Sequence, residues 1–419
     1  MNDNPRAALR EQAEFAFQRG VQAADPKRAT SAAIHSHFDP IQVAGDLYIL
    51  AFGKAAVGMA QAALEALGPF EPRRVLAITN YENDTKCDGI EILAAAHPVP
   101  DAKGAEAALC AEDMLRDAKD GDVILALVSG GASALLPAPI DGVSLADKIK
   151  VNELLLGSGL DIGSMNIVRQ SLSRTKGGGL LATAAPARVI SFVLSDVLGD
   201  DMRLVGSGPT LSRAGTSDDA REVLQSAGVW EQCPSSVQDA LLTPKPPKDQ
   251  PEPEAHLIGS NGLSLSAMAA ALNADISPSP LEGDVQDAAE RVVSEALTLP
   301  AGKALAFGGE TTVILKGSGM GGRNQELALR VAQEAERQGM PGAWVFLSGG
   351  TDGRDGPTDA AGGVVDDQTL ARLAEQDLSL SDFLDQNDSY KALEASGDLL
   401  ITGATGTNVA DLQIFLRAE

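Results

Sequence analysis

The residues with chemistry to offer lie in short glycine-rich segments that follow apolar runs. Gly317-Ser318-Gly319-Met320-Gly321-Gly322-Arg323-Asn324-Gln325-Glu326 comes after Thr311–Leu315 and opens a helix expected over Asn324–Arg337. Ser348-Gly349-Gly350-Thr351-Asp352-Gly353-Arg354-Asp355-Gly356 and Thr402-Gly403-Ala404-Thr405-Gly406-Thr407-Asn408 repeat the theme. Glycine lets backbone amides converge on an oxyanion, and a helix N-terminus adds its dipole. Arg323 brings a bidentate fork for phosphate, and Glu310, Asp352 and Asp355 bring hard oxygen ligands for a metal ion. These turns together predict an enzyme that handles phosphate.

The first half of the chain supplies complementary groups. Lys54, in Ala51-Phe52-Gly53-Lys54-Ala55-Ala56, falls at a strand-to-helix junction, where a cation opposes the helix dipole and so asks for an anionic partner. The segment is not a P-loop, since Tyr48 and Ala55 occupy the positions of its first glycine and its hydroxyl. Ser129-Gly130-Gly131-Ala132-Ser133 can form an amide nest flanked by hydroxyls. Serine hydrolysis is disfavoured, because the spacing is not G-x-S-x-G and the histidines His35, His37, His97 and His256 offer no evident partner. Asp196 and Asp200 end a strand and suit base or metal work. Gly317, Gly319 and Gly322 also satisfy the dinucleotide fingerprint, but Arg323 follows directly, and Ser348-Gly349-Gly350 replaces the ribose-binding acid.

The formal charge of −25 argues against nucleic acid or an anionic membrane as partner. Against that background, no acid lies between Ile162 and Ser195, a stretch holding Arg169, Arg174, Lys176 and Arg188. It reads as a positive lining for an anionic ligand. Cys87, Cys110 and Cys233 match no metal or disulfide spacing, which fits a reducing, cytoplasmic setting. The charged N-terminus argues against a signal peptide, and no apolar run is long enough to span a bilayer.

The elements that must position these groups alternate between strand and helix, the pattern of an α/β protein with a largely parallel sheet. Strands are expected at Leu47–Phe52, Arg74–Thr79, Val123–Val128 and Val189–Leu194, with helices at Pro5–Ala24, Lys54–Leu67 and Ala102–Ala118. A proline-dense segment, 244–254, reads as an extended linker. It divides an N-terminal domain, 1–243, from a C-terminal α/β domain, 255–419, with strands at His256–Ile258, Lys303–Phe307, Thr311–Leu315, Trp344–Leu347 and Leu399–Ile401.

The motifs, taken in order, resemble the bacterial-type glycerate 2-kinases, whose C-terminal part carries the MOFRL domain. The resemblance runs from Leu50-Ala51-Phe52-Gly53-Lys54-Ala55 through His97-Pro98-Val99-Pro100-Asp101, Lys176-Gly177-Gly178, Leu194-Ser195-Asp196-Val197 and Gly206-Ser207-Gly208-Pro209-Thr210. It continues through Gly308-Gly309-Glu310-Thr311-Thr312 and Gly321-Gly322-Arg323-Asn324-Gln325-Glu326 to Thr405-Gly406-Thr407-Asn408. The chain departs from the pattern at Ala132, Gln170-Ser171 and Ala404, where a glycine, a Lys-His pair and a proline are usual. The resemblance implies a Rossmann-like N-terminal α/β/α domain, a smaller α/β C-terminal domain and an active site in the inter-domain cleft. It implies ATP- and Mg²⁺-dependent phosphorylation of D-glycerate at its 2-hydroxyl by a monomer or homodimer. Some relatives are labelled hydroxypyruvate reductases, so NAD(P)H-dependent reduction is the alternative, and a non-catalytic nucleotide- or sugar-acid-binding protein is a third reading.

On that resemblance Lys54 and Arg323 are expected to stabilise the transferring phosphoryl group, with Asp196 at the substrate hydroxyl. Ser129, Gly130, Gly131, Ser133, Gly319, Gly321, Gly322, Asn324, Thr407 and Asn408 are expected at the nucleotide and its phosphates. Arg169 and Lys176 are expected at the glycerate carboxylate, and Glu310, Asp352 and Asp355 at the metal.

Overall fold

The computed structural model describes residues 5–244 and 250–419, so residues 245–249 of the expected linker lie outside the described residues. The chain forms two compact units. One comprises Pro26–Val197 with Asp201–Ile258; the other joins the N-terminal segment through Asp25 to Leu198–Asp200 and Gly259–Glu419.

The first unit is built on a six-stranded sheet ordered β3-β2-β1-β4-β5-β6. Its strands are β1 (Leu47–Phe52), β2 (Arg74–Asn80), β3 (Glu91–Ala95), β4 (Val123–Val128), β5 (Arg188–Leu194) and β6 (Glu254–Gly259). The registers of β1 to β5 are parallel. Helices cover both faces, so β1 and β4 are buried at every position and read as unbroken apolar runs. Ala102–Arg116 and Gly179–Ala184 close over Leu50, Phe52, Ile124 and Val128. A separate helical cluster forms from Leu145–Gly157, Ile162–Ser171, Ser217–Ser226 and Ser235–Leu242, packed through Val151, Leu155, Val168, Leu172, Leu224 and Val237.

The second unit holds a mixed seven-stranded sheet, β12-β11-β10-β13-β9-β7 with β8 paired to β9. Its strands are β7 (Asp275–Ile276), β8 (Leu281–Asp284), β9 (Ala304–Thr312), β10 (Trp344–Gly350), β11 (Gly362–Asp366), β12 (Leu399–Leu400) and β13 (Asp411–Arg417). Side chains alternate between its faces. Val345, Leu347, Leu412 and Ile414 meet helices Pro5–Ala23 and Asn261–Leu272, while Trp344, Phe346 and Phe415 meet Val285–Thr298 and Arg323–Arg337.

Four expectations change here. The helix at Pro5–Ala23 belongs to the second unit rather than to a domain 1–243: Phe17 and Ala16 bury against that sheet, and Arg10 bonds Asp366 and Asp398. The strand at His256–Ile258 is β6, which extends the first sheet beside β5 and is held there by the Arg188–Glu254 pair and the stacking of His256 on Phe192. Gly308-Gly309 does not separate two strands, because β9 runs through it with β13 on one side and β8 on the other. Ser348-Gly349-Gly350 likewise continues β10, paired with β13 and β11, and only Thr351 onward turns. Among the described residues no helix is long and apolar enough to cross a membrane.

Candidate functional site

In the parallel sheet the chain winds outward from β1 through β2 to β3, then returns to β4 and winds the other way. The crevice at the carboxyl ends of β1 and β4 is therefore the topological switch point, where open α/β sheets take their ligands. Gly53-Lys54 leaves β1 there and Ser129-Gly130-Gly131 leaves β4. Two hydrogen bonds tie the turns together: the Lys54 amide donates to Gly130 O at 2.9 Å, and the Ala55 amide to Ser129 Oγ at 3.1 Å. Lys54 is exposed at this edge.

Asp196 arrives from the end of β5. A Cβ on Gly130 would lie 2.5 Å from the Asp196 carboxyl carbon, so only glycine lets the carboxylate rest against this backbone. Gly131, at φ +82°, is left-handed, and a Cβ there would meet Lys54 Cγ at 3.1 Å and His97 Cδ2 at 3.2 Å. Lys54, His97, Asp196 and the two glycines thus form one cluster. Burial raises the Asp196 carboxyl above its usual range, and Lys54 opposes part of that shift. Burial and then Lys54 lower His97, with Glu82 opposing.

Beside this cluster a pocket opens, lined among others by His97, Gly131, Ser133, Lys148, Arg169 and Lys176. No aspartate or glutamate is among its lining residues. Arg169 Nε donates to Asn152 Oδ1 at 2.9 Å. The buried Lys176 Nζ donates to Ser133 O and Oγ at 2.8 and 2.9 Å, which makes Ser133 the anchor of that lysine. Burial lowers Arg169, and burial followed by Lys148 and Arg169 lowers Lys176 well below the usual lysine range. Of the basic residues in the acid-free stretch, Arg169 and Lys176 line this pocket, whereas Arg174 pairs with Glu112 and Arg188 with Glu254.

Sequence reasoning missed two members of this wall. Lys148 falls on the same helical stripe as Val151 and Leu155, three and seven positions on, and a lysine on a buried stripe was the available signal. His97 was visible only as part of a motif, and its approach to Gly131 brings the segment after β3 to the turn after β4, across β2 and β1 of the sheet.

The seven-stranded unit arranges its polar groups differently from expectation. Arg323 forks onto Asp411, with Nε to Oδ2 at 2.6 Å and Nη2 to Oδ1 at 3.0 Å, and Nη1 meets Glu310 at 3.0 Å. Burial works against its charge, but Asp411 and Glu310 outweigh that and raise the guanidinium above its usual value. The buried Asp355 accepts the amides of Asn324 at 3.1 Å and Gln325 at 2.8 Å, so a protein carboxylate already sits at the helix N-terminus expected to meet phosphate. Burial pushes Asp355 up to about 6 even so.

The preceding glycines serve close packing. The Gly319 amide donates to Gln386 O at 2.8 Å, and a Cβ on Gly319 or Gly322 would collide with Asp388 or Asp355. Gly321 lies against Ser389. Asn324 is buried and accepts from Ser348 Oγ. Thr407 Oγ1 donates to Ala24 O, and Asn408 is exposed and accepts the Ala410 amide. An open pocket is lined by Glu282, Glu310, Thr311, Arg323 and Asp355 among others.

The three expected metal ligands do not converge. Among the described residues no group of three or more His, Cys, Asp or Glu could hold an ion. Both Asp355 oxygens take helix amides, Asp352 accepts the Arg354 amide, and Glu310 pairs with Arg323. Such a set suits an ion that arrives on nucleotide phosphates and needs one or two carboxylates, not a protein cage.

Comparison with known proteins finds a match in each half of the chain. Residues 12–242 match the model for a domain of unknown function, DUF4147, and residues 303–411 match the MOFRL family. A D-glycerate 2-kinase from Thermotoga maritima is 39% identical over 95% of this chain and 96% of its own length. A putative hydroxypyruvate reductase from Agrobacterium vitis is 37% identical over 89% of this chain and 99% of its own. The crystal structure of a Thermotoga maritima glycerate kinase superposes with a TM-score of 0.89 at 38% identity, covering 98% of this chain and 100% of that one. With that likeness along nearly the whole chain, in sequence and in fold, this protein belongs to the glycerate kinase family.

Proposed function

We propose that the protein transfers the γ-phosphoryl group of ATP to the 2-hydroxyl of D-glycerate, giving 2-phosphoglycerate and ADP. The observation that carries this reading is the cluster of Lys54, Asp196 and Gly130-Gly131 at the switch point, beside a positive pocket with no lining carboxylate. Phosphoryl transfer asks a protein for position and charge more than for covalent chemistry. In this account Arg169 holds the acid's carboxylate, Asp196 orients its 2-hydroxyl and accepts the proton, and Lys54 steadies the charge of the transferring group. Gly130 and Gly131 keep the backbone close enough for all three to act on one small molecule. Lys176 supports them through Ser133.

Arg323 is read as a phosphate-binding cation of the seven-stranded unit, its guanidinium aimed by Asp411. Mg²⁺ would come with the nucleotide, with Glu310 or Asp352 as its protein ligand, and would shield the phosphate charge. Asp355 is withdrawn from that set because its oxygens are spent on helix amides. The reductase alternative needs pyrophosphate at the N-terminus of Arg323–Arg337, the position Asp355 occupies. The test is to incubate the pure protein with D-glycerate, ATP and Mg²⁺ and assay ADP. Absence of glycerate-dependent ADP would reject the reading.

A further inference from the structure

The pocket beside the switch point holds more positive charge than the proposed roles use. Lys148 projects into it from helix Leu145–Gly157 and is buried. Its Nζ donates to two neutral acceptors, Leu172 O at 3.2 Å and Arg169 O at 3.4 Å, both at the long end of the hydrogen-bond range. Lys176 differs: its two bonds to Ser133 are short, and that residue is what they anchor. Burying an ammonium without a counter-charge is costly, and here Arg169 adds like charge with no lining carboxylate to offset it. A monoanionic ligand would repay that cost.

We propose that Lys148 is a specificity-determining residue that receives the substrate's carboxylate together with Arg169, while Lys176 acts as a positioning residue for the Ser133 turn. The proposal rests on the glycerate reading above and adds to it a residue and a division of labour. The ligand class is a small hydroxy acid whose single negative charge is shared by the Lys148 ammonium and the Arg169 guanidinium. The fit is to charge, so glycerol, which has the hydroxyls without the carboxylate, gains nothing from Lys148.

The test compares wild type with Lys148→Met and Lys148→Gln at pH 6.5. Methionine keeps the stem and removes the charge, and glutamine keeps a donor for the Arg169 and Leu172 carbonyls. Loss of a charged hydrogen bond should raise KM for D-glycerate roughly 10- to 100-fold, with kcat changed far less and KM for ATP unaltered. Without ligand the variants should melt no earlier than wild type, yet lose the gain in Tm that D-glycerate confers. A folded variant with the wild-type KM and the wild-type Tm gain would overturn the proposal. So would loss of folding in both variants, which would assign Lys148 to the core. If wild type forms no ADP from glycerate, the functional reading fails separately. The thermal shift with D-glycerate then still decides the role of Lys148.

Discussion

Lys54 and Arg323 sit in different surroundings, so the same substitution should act on them differently. Lys54 is exposed at the end of β1, so Lys54→Met should fold normally and lose its part in transition-state stabilisation. One such contact is worth roughly 10²–10³ in kcat, or about 3–4 kcal/mol. Steady-state kinetics beside a thermal melt checks this, and wild-type turnover would make Lys54 a solvated helix-start lysine. Arg323→Met should lose stability as well, because it leaves Asp411 buried and uncompensated. Breaking such a pair costs about 3–5 kcal/mol, measurable as a fall in the denaturation midpoint.

Lys148 sets a pH dependence. Burial, then repulsion from Arg169, lowers its folded value to about 7 from the usual lysine range. The groups facing it in the pocket are Arg169, Lys176 and His97, all themselves lowered. The ammonium is present below that value and lost above it, so KM for glycerate should rise as pH climbs through about 7. The free protein should at the same time gain stability between 7 and the ordinary lysine range, where the unfolded chain binds more protons. Lys148→Met should flatten both profiles. A KM that falls with rising pH in wild type would contradict the assignment.

At the scale of elements, the turn after β4 is where backbone geometry and chemistry meet. Gly130→Ala would drive a methyl into the Asp196 carboxylate while leaving the buried strand untouched. Turnover should fall by about 10²-fold, as for misplacement of a reacting group, with a melting temperature close to wild type. An active Gly130→Ala protein would remove Asp196 from the reaction.

The strands carrying this turn were legible because β1 and β4 are buried on both faces and appear as plain apolar runs. β13 was not, since its alternation of Leu412, Ile414 and Leu416 with Gln413 and Phe415 directly follows a glycine-threonine turn. The glycines of 317–322 are ambiguous for a physical reason. The sequence shows that close approach is needed, but not whether the neighbour is a ligand's phosphate or the chain's own Gln386, Asp388 and Asp355. Lys54, Asp196, Gly130 and Gly131 could be found from motif and strand end, whereas Lys148 and His97 needed the tertiary fold.

At the scale of the whole molecule, the N-terminal helix closes a core at the far end of the chain. Phe17 and Ala16 seal one face of the seven-stranded sheet against Leu347, Leu412 and Ile414. Phe17→Ala should cost about 3–5 kcal/mol, read as a lower denaturation midpoint of the sheet it covers. An unchanged midpoint would mean the helix adds nothing to that core. Against a net charge of −25, the gathering of basic side chains in one pocket suits a small anionic substrate. If the metal travels with the nucleotide, activity should vanish in excess EDTA and return with Mg²⁺, and full activity in chelator would remove the ion from the account.

The central claim is that this chain phosphorylates glycerate, and on the 2-hydroxyl. Phosphorus NMR of a reaction containing the protein, D-glycerate, ATP and Mg²⁺ tests both parts in one sample, with NAD(P)H and hydroxypyruvate in a parallel cuvette. ADP and a 2-phosphoglycerate resonance should grow together, with no nicotinamide oxidised. A 3-phosphoglycerate resonance would contradict the placement of Asp196 at the 2-hydroxyl. Hydroxypyruvate-dependent NAD(P)H consumption with no ADP formed from glycerate would contradict the kinase itself.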